Sequence, residues 1–253
     1  ASEPLKQMLI DEMTKSGYTV KSVEISVGTS YAVVGEAMIS GSIDVGFLTA
    51  NSYVLYAEDG VEIALASTRA ALSVDSGNFD DWNVVVGKSE DVASGYRSLI
   101  YVNALTEKGA ALLEKARKGE LTWDDVNDAN WGLGNVGSGA SYTYPSIWLN
   151  KNFGEGVGES KKTVESLAHA TFGGSYNSNC ESVVTGQLDI YAGFADTRQN
   201  DWATTLFETT YPDLAKEGKT VFDCLKVIGV TDMIMNDTIS VGCADYIDDD
   251  FKA

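Results

Sequence analysis

Two stretches, one in each half of the chain, share a single pattern. Residues Gly35–Leu48 read GEAMISGSIDVGFL, and residues Cys180–Phe194 read CESVVTGQLDIYAGF. In each, an apolar helical stretch ends at a glycine, and an aspartate then precedes a short apolar strand. Any two helix–strand units share part of this pattern. One unit in each half nevertheless favours two similar lobes, each built on its own sheet.

Helix and strand patterns alternate along most of the chain, which predicts an α/β fold with mostly parallel sheets. A length of 253 residues is enough for two modest lobes with separate cores. Residues Leu72–Gly95 have little regular period, and we interpret them as an excursion that could form a hairpin. The predicted strands are 23–28, 44–48, 62–68, 96–103, 189–194 and 225–236, and the clearest predicted helices are 30–41, 50–60 and 106–119.

The charge balance excludes several classes of partner. The chain carries 18 basic and 37 acidic residues, for a net charge of −19. Nucleic-acid binding requires a basic face, so we expect no nucleic-acid partner, and adsorption to an anionic membrane is equally disfavoured. Because long-range attraction would not favour an anion either, an anion site must work through local dipoles and hydrogen bonds.

Cysteine and histidine are too few for most catalytic and metal chemistry. The cysteines are Cys180, Cys224 and Cys243, and their odd number and wide spacing predict neither a disulfide framework nor a zinc site. A Cys224–Cys243 bridge stays open, although we expect three buried free thiols. The single histidine, His169, leaves no material for a catalytic triad or a multi-histidine metal site. We therefore expect His169 to be structural and no cofactor to be needed.

The start of the chain reads directly as a helix. Ser2 is placed to cap it, Pro4 lies in its first turn, and an apolar stripe follows. A natural chain rarely begins in this way, so we expect a first strand and any export signal to precede Ala1. The lack of a signal peptide therefore does not argue against export.

A flexible loop rich in hydrogen-bond donors stands at the start of a predicted helix. Residues Gly134–Asn150 read GNVGSGASYTYPSIWLN, with small or hydroxyl-bearing residues from Gly137 to Ser141. Unpaired N–H groups and the positive end of the helix dipole make such a start a candidate anion site. An ordinary N-cap, formed by Ser138 or Ser141, explains the same residues. The loop alone does not decide between these interpretations.

Ligands of open α/β sheets bind at the carboxyl ends of strands. The loops predicted there are rich in Ser, Thr, Tyr, Asn and Gly, with almost no Lys or Arg. They are Gly28–Tyr31, Thr49–Ser52, Gly134–Ser141, Phe172–Asn177, Ala195–Thr197 and Val230–Asp232.

Taken in order along the chain, several blocks resemble the phosphonate-, phosphate- and phosphite-binding receptors of ABC importers. These blocks are TSYAVVGEAMISGSIDVGFLTANSYV, GYRSLIYVN, GSGASYTYPSIWL and FGGSYNSNCESVVTGQLDIYAGFAD. The resemblance implies a two-lobed α/β fold of periplasmic-binding-protein type II, with two crossover strands and a ligand cleft between the lobes. Lobe 1 would comprise residues 1–103 plus 227–253, and lobe 2 residues 104–226. The hinge would lie near Val102–Ala104 and Val227–Gly229.

The same resemblance implies a set of ligand-binding residues. The loop would supply hydroxyl and N–H donors, although it reads Ser-Gly-Ala-Ser where the family usually has Ser-Thr-Ser-Gly. Two tyrosines match aromatic positions of the first lobe, a third stands where the family often has His, and two aspartates match acidic positions of the cleft. The loop donors are Ser138, Gly139, Ala140 and Ser141. The tyrosines of the first lobe are Tyr31 and Tyr96, and the third tyrosine is Tyr176. The aspartates are Asp196 and Asp232.

The function implied is that of a non-enzymatic receptor for a small phosphorus oxyanion. Aspartates in such a site would accept a proton kept on the ligand or pair with a ligand ammonium group, and so penalise sulfate. We expect a monomer that is exported, either periplasmic or lipid-anchored, and that delivers its ligand to a membrane permease. The alternatives are the same fold binding another solute, and a phosphoester hydrolase using Ser138 or Ser141. The absence of a Gly-x-Ser-x-Gly motif weighs against the hydrolase.

Overall fold

The structure is a computed structural model that describes residues 3–154, 161–244 and 247. Its helices are α1 Glu3–Lys15, α2 Tyr31–Ile39, α3 Ala50–Tyr56, α4 Glu107–Lys118, α5 Trp123–Asn127, α6 Tyr144–Phe153, α7 Tyr176–Val184, α8 Asp201–Thr210, α9 Pro212–Lys216 and α10 Val221–Cys224. Its strands are β1 Val45–Leu48, β2 Glu62–Ala66, β3 Arg69–Leu72, β4 Lys88–Ala93, β5 Gly95–Tyr96, β6 Ser98–Asn103, β7 Trp131–Gly132, β8 Ala170–Thr171, β9 Ile190–Phe194, β10 Leu225–Val230, β11 Ile234–Met235 and β12 Thr238–Val241.

The repeated sequence pattern forms two matching helix–strand units, α2–β1 and α7–β9. Ser30 caps α2 and Ser175 caps α7, each accepting a hydrogen bond from the backbone N–H three residues ahead. After the helices, Gly41 has φ +70° and Gly186 has φ +77°. Only glycine adopts these left-handed angles without strain, so both glycines end their helices as the pattern predicts.

The first sheet has three strands in the order β1–β12–β2, and both of its ladders are antiparallel. Strand β12, from the end of the chain, lies between two strands from its beginning. The core beside this first sheet is small and consists of Met38, Leu48, Tyr56 and Val61. The expectation of mostly parallel sheets is wrong here, because the inserted strand runs opposite to both neighbours.

The second sheet has five strands in the order β10–β6–β9–β7–β8. Only the pairings of β7 with β8 and β9 are parallel in the described part of this sheet. Side chains of β6 alternate between two cores: Ile100 and Val102 face α4, α5 and α6, whereas Leu99 and Tyr101 face α7, α8 and α10. Helices cover both faces, as in other α/β folds.

The excursion at residues 72–95 is a hairpin, β3–β4, with a short 3₁₀ helix at Phe79–Trp82. Trp82 is only 2% exposed and packs into the core beside α7 and α8. The Asn83 side chain bonds both backbone groups of Val227, at 2.7 and 2.9 Å. The tip of the excursion is therefore part of the core around the second sheet.

The residues of the predicted hinge lie within the second sheet or directly after one of its strands. Residues 102 and 103 belong to β6 and residues 227–229 to β10, two strands that pair with each other, and Val102 and Val227 are fully buried. The short ladder of β5 with β11, which pairs Tyr96 with Ile234, lies at the points where the chain enters and leaves the second sheet.

One predicted strand does not form. Residues Val23–Gly28 have no regular secondary structure, and Val27 is 96% exposed. Alternating apolar residues form a strand only when a neighbouring strand completes their hydrogen bonds, and no described residue pairs with this segment.

All three cysteines are free, so the Cys224–Cys243 bridge does not form. Cys180 and Cys224 are buried as expected, and burial raises the pKa of each thiol to about 12. Cys243 is exposed, which corrects the expectation of three buried thiols.

Candidate functional site

The loop before α6 forms a capped helix start. The Ser138 hydroxyl accepts a hydrogen bond from the Ser141 N–H at 3.2 Å, and a wide helical turn, Gly139–Thr143, then runs into α6. The Ser141 hydroxyl accepts from the Gly134 N–H at 2.6 Å, so it holds the loop together. The first amides of a helix have no partner within the helix. The N–H groups of Gly139 and Ala140 are therefore the donors that the turn offers to a ligand.

Tyr176 lies against this helix start. It opens α7, and its hydroxyl lies 3.1 Å from the Ser138 hydroxyl. Its ring meets Phe194 edge-on, with the centroids 4.9 Å apart. Burial raises the pKa of the Tyr176 phenol, so it stays a neutral hydrogen-bond donor at physiological pH.

Residues around the first sheet approach the same loop from the other side. Thr49, the cap of α3, donates to the Gly137 carbonyl at 3.4 Å, and Asn51 Nδ2 reaches that oxygen at 3.5 Å. Tyr31 packs so closely that a Cβ atom on Gly137 would lie 3.3 Å from its ring. The starts of α2 and α3 therefore meet the loop that precedes α6.

Gly139 faces a set of polar groups that a larger residue would crowd. A Cβ atom there would lie 3.1 Å from Asn51 Oδ1, 3.5 Å from an Ile234 methyl and 3.8 Å from the Tyr96 hydroxyl. Asn51 Oδ1 is buried and has no hydrogen-bond partner in the described structure. Buried polar atoms normally have partners, so this atom is a second candidate contact for a ligand.

Two charged residues stand among the tyrosines. The Arg69 guanidinium lies 3.7 Å over the centre of the Tyr96 ring. Asp237 is half-buried, and burial raises the pKa of its carboxyl while Arg69 opposes the shift. Burial, with a smaller contribution from the charge of Asp237, raises the phenol pKa of Tyr31, Tyr96 and Tyr176, the three tyrosines that approach the loop Gly137–Gly139. We call this set the tyrosine cluster: Tyr31, Arg69, Tyr96, Ser138, Tyr176 and Asp237.

Arg69 and Asp237 were missed by the sequence analysis. Arg69 directly follows the predicted strand 62–68, so it stands at a strand's carboxyl end, where ligand contacts were sought. Asp237 likewise directly follows the predicted strand 225–236, and in the structure it lies between β11 and β12. Both residues therefore had a usable signal in the sequence, the position directly after a predicted strand.

The structure gives Asp196 and Asp232 other partners. The Asp196 carboxylate pairs with Arg198, with Oδ2 2.5 Å from Nη2 and both side chains fully buried, and it also accepts from the Tyr101 hydroxyl at 3.1 Å. Asp232 pairs with Lys151 at 3.0 Å on the surface. The structure therefore brings neither carboxylate into the tyrosine cluster, and their predicted contact with a ligand stays a prediction.

The described residues offer neither a metal cluster nor a membrane span. No group of three or more His, Cys, Asp and Glu side chains in residues 3–154 and 161–244 is arranged around a common metal position. Within those same ranges, every helix is too short or too polar to cross a bilayer. The chemistry of the tyrosine cluster is thus that of hydrogen-bond donors, one carboxylate and one guanidinium.

Three solved structures share this fold at low sequence identity. A binding-protein component of an ABC phosphonate transporter from Pseudomonas aeruginosa is 18% identical, with a TM-score of 0.50 over 100% of this chain and 68% of that one. A Xanthomonas citri protein solved with ATP is 13% identical, with a TM-score of 0.59 over 99% and 74%. A Mycoplasma hyorhinis protein described as a candidate thiamine pyrophosphate transporter is 10% identical, with a TM-score of 0.64 over 97% and 76%. No curated protein sequence matches the chain.

These likenesses show the two-lobed periplasmic-binding-protein type II fold. A family model described as the periplasmic substrate-binding protein of phosphonate ABC transporters matches residues 3–253. Proteins of this family bind solutes outside the cytoplasm for a membrane permease and are not enzymes. With a match that spans almost its whole length, this chain belongs to the phosphonate family of periplasmic substrate-binding proteins of ABC transporters.

Proposed function

We propose that the protein captures a small phosphorus oxyanion, such as a phosphonate, phosphate or phosphite, at the tyrosine cluster. The observation that carries the proposal is the meeting of Ser138 and Tyr176 at the helix start, with their hydroxyls 3.1 Å apart. Hydroxyls and the adjacent amides of Gly139 and Ala140 converge there. Neutral donors at a helix start are a common way of binding an oxyanion.

Asp237 supplies the acidic contact that the sequence analysis assigned to Asp196 and Asp232. The charge of its carboxylate acts on the phenols of three tyrosines, and it makes no ion pair with the described residues. A phosphono monoanion keeps a P–OH proton that it can donate to this carboxylate, whereas sulfate has none. Asp237 therefore favours a protonated phosphorus group over sulfate.

The two sheets form the two lobes in this proposal, and the ligand lies between them. Lobe 1 contains the first sheet, and lobe 2 contains the whole second sheet, including β6 and β10. The boundaries then move from residues 103 and 227 to the β5–β11 ladder, where Tyr96 pairs with Ile234. Closure about this ladder brings the lobes together on the ligand, and the permease recognises the closed monomer.

Another phosphate-bearing solute is the second candidate. The residues that approach the loop, Tyr31, Thr49 and Asn51, are neutral and can also line a site for a larger organic group. The Xanthomonas citri structure holds ATP, and the Mycoplasma hyorhinis protein is described with thiamine pyrophosphate. Both compounds thus belong among the ligands to be compared.

Calorimetric titration of the ligand-free protein tests the proposal. The ligands are phosphate, phosphite, methylphosphonate, 2-aminoethylphosphonate and sulfate, followed by ATP and thiamine pyrophosphate. We expect one-to-one binding of a small phosphorus compound and no heat from sulfate. Tight binding of ATP or thiamine pyrophosphate alone would select the second candidate. No heat from any phosphorus compound would refute this ligand class.

A further inference from the structure

Arg69 is held in a fixed position at the edge of the tyrosine cluster. It begins β3, and its Nε donates to Asn236 Oδ1 at 2.7 Å. Its guanidinium carbon lies 3.7 Å from the centre of the Tyr96 ring, which is stacking distance for a cation on an aromatic face. One edge of the guanidinium and one of its faces are therefore already engaged.

Asn236 is itself fixed by the backbone around it. Its side chain is buried, and Nδ2 donates to the Ser67 carbonyl at 2.9 Å and to the Ala93 carbonyl at 2.8 Å. Both amide hydrogens and the amide oxygen are thus used. A ligand that meets Arg69 meets a group that loses little further freedom on binding.

The remaining donors of Arg69 have no hydrogen-bond partner among the described residues. The sequence has four arginines, and three of them pair with a carboxylate: Arg97 with Asp75, Arg117 with Asp80, and Arg198 with Asp196. Among residues 3–154 and 161–244, Arg69 has no carboxylate at ion-pair distance, and no described group accepts from its two terminal amino groups. An unpaired and positioned cation is notable in a chain with a net charge of −19.

Tyr96 lies between Arg69 and the helix start, because its ring contacts the guanidinium and its hydroxyl lies 3.8 Å from the place that a Cβ atom on Gly139 would take. The Tyr96 hydroxyl lies close to Gly139, and the charge of Arg69 lowers the phenol pKa of both Tyr96 and Tyr176. With Nε occupied, the two terminal amino groups form the remaining fork. That fork has the spacing of two oxygens on one tetrahedral anion.

We propose that Arg69 is a ligand-binding residue that donates its two terminal amino groups to oxygens of the bound phosphorus oxyanion, opposite the Gly139–Ala140 amides. This inference rests on the proposed function and deepens it. The ligand must then present at least two terminal oxygens in anionic form, so neutral solutes and fully esterified phosphates are excluded. It also corrects the expectation that the site binds an anion without a cationic side chain.

The experiment compares Arg69→Met and Arg69→Lys with the wild type and with Arg117→Met. Arg117 carries the same charge but pairs with Asp80 on the surface, so its loss controls for the change in net charge. Each protein is titrated with methylphosphonate, phosphite and phosphate at low and high ionic strength. We expect Arg69→Met to bind about 10- to 100-fold more weakly, Arg69→Lys to fall between, and Arg117→Met to match the wild type. Affinity should also depend less on salt in Arg69→Met than in the wild type.

The outcomes separate this inference from the function on which it rests. If the wild type binds and folded Arg69→Met binds equally well, Arg69 only stabilises the strand ends near Asn236, and this inference alone fails. A lower melting temperature of the ligand-free variant with unchanged affinity has the same meaning. If the wild type binds none of the three anions, the proposed function fails and this inference fails with it. Circular dichroism of both Arg69 variants checks that each one folds.

Discussion

At the scale of single residues, the carboxylates differ more in their surroundings than their sequence positions indicate. Asp196, Asp232 and Asp237 all lie near strand ends, yet the first is buried with Arg198, the second is exposed with Lys151, and the third faces the tyrosines. A strand end tells which edge of a sheet a residue occupies. It does not tell which cation lies within reach, because Arg198 and Lys151 are placed by packing of the whole chain.

The buried pair predicts a large effect on stability. Asp196→Ala should lower the free energy of unfolding by about 3–5 kcal/mol, because it leaves the Arg198 charge buried without its partner. Asp232→Ala, at the exposed pair with Lys151, should change it by less than about 1 kcal/mol. Urea denaturation of the ligand-free proteins measures both. If Asp196→Ala instead has normal stability but no longer binds the ligand, Asp196 is a ligand-binding residue.

Substitution of Asp237 should stabilise the folded protein in a pH-dependent way, whereas substitution of Asp196 should destabilise it. Since burial raises its pKa in the folded state, the ionised carboxylate destabilises the fold, and this cost appears as pH rises through the folded-state pKa. Ligand-free Asp237→Asn should therefore melt at a higher temperature than the wild type at neutral pH. The difference should vanish in acid, where the wild-type carboxyl is protonated. A lower melting temperature at neutral pH would show that Arg69 outweighs burial.

At the scale of elements, local signals in the sequence correctly predicted individual helices and strands, but they did not predict how the strands pair. The units α2–β1 and α7–β9 follow from caps, terminal glycines and apolar periods, all of which act within a few residues. Two outcomes depend on segments far apart in the chain: the insertion of β12 between β1 and β2, and the absence of a partner strand for residues 23–28 in the described part of the structure. No local pattern records such a choice. The serine loop was predicted from its local pattern and the tyrosines from the family resemblance, whereas Asp237, although it follows a predicted strand, was not singled out.

The two serine caps allow structure and binding to be separated. Ser138→Ala and Ser175→Ala each remove one hydrogen bond to a backbone N–H at a helix start, at 3.2 and 3.1 Å. Each should lower the free energy of unfolding by about 1 kcal/mol. Only Ser138→Ala should also weaken ligand binding, because only the Ser138 hydroxyl lies in the cluster, next to the Tyr176 hydroxyl. Equal losses of affinity in the two variants would contradict the proposed site.

At the scale of the whole molecule, the hairpin β3–β4 links the two sheets. Its open end carries Arg69 next to the tyrosine cluster, and its tip packs Trp82 into the core of the second sheet. A motion of one sheet relative to the other must therefore bend this hairpin as well as the β5–β11 ladder. Its pairing register shifts between Ala70 and Leu72, which places an irregular point close to the cluster.

Closure predicts a measurable change in size. If the lobes close on a ligand, small-angle X-ray scattering should give a smaller radius of gyration with saturating methylphosphonate than without it. Sulfate serves as the control anion and should leave the radius unchanged. An unchanged radius with a calorimetrically saturating phosphorus ligand would mean that the site is already closed before binding.

Of the three free thiols, only one is exposed to chemical modification in the folded wild-type protein. Burial raises the pKa of Cys180 and Cys224 to about 12, so neither forms much thiolate at neutral pH, whereas Cys243 is exposed. A thiol reagent should modify one cysteine in the folded protein and three after denaturation, as counted by absorbance; rapid reaction of more than one would refute the burial of the other two. A fluorophore on Cys243 would report from beside the first sheet without any native cysteine being replaced. The unmodified chain can thus serve as the starting scaffold for an optical sensor of its own ligand.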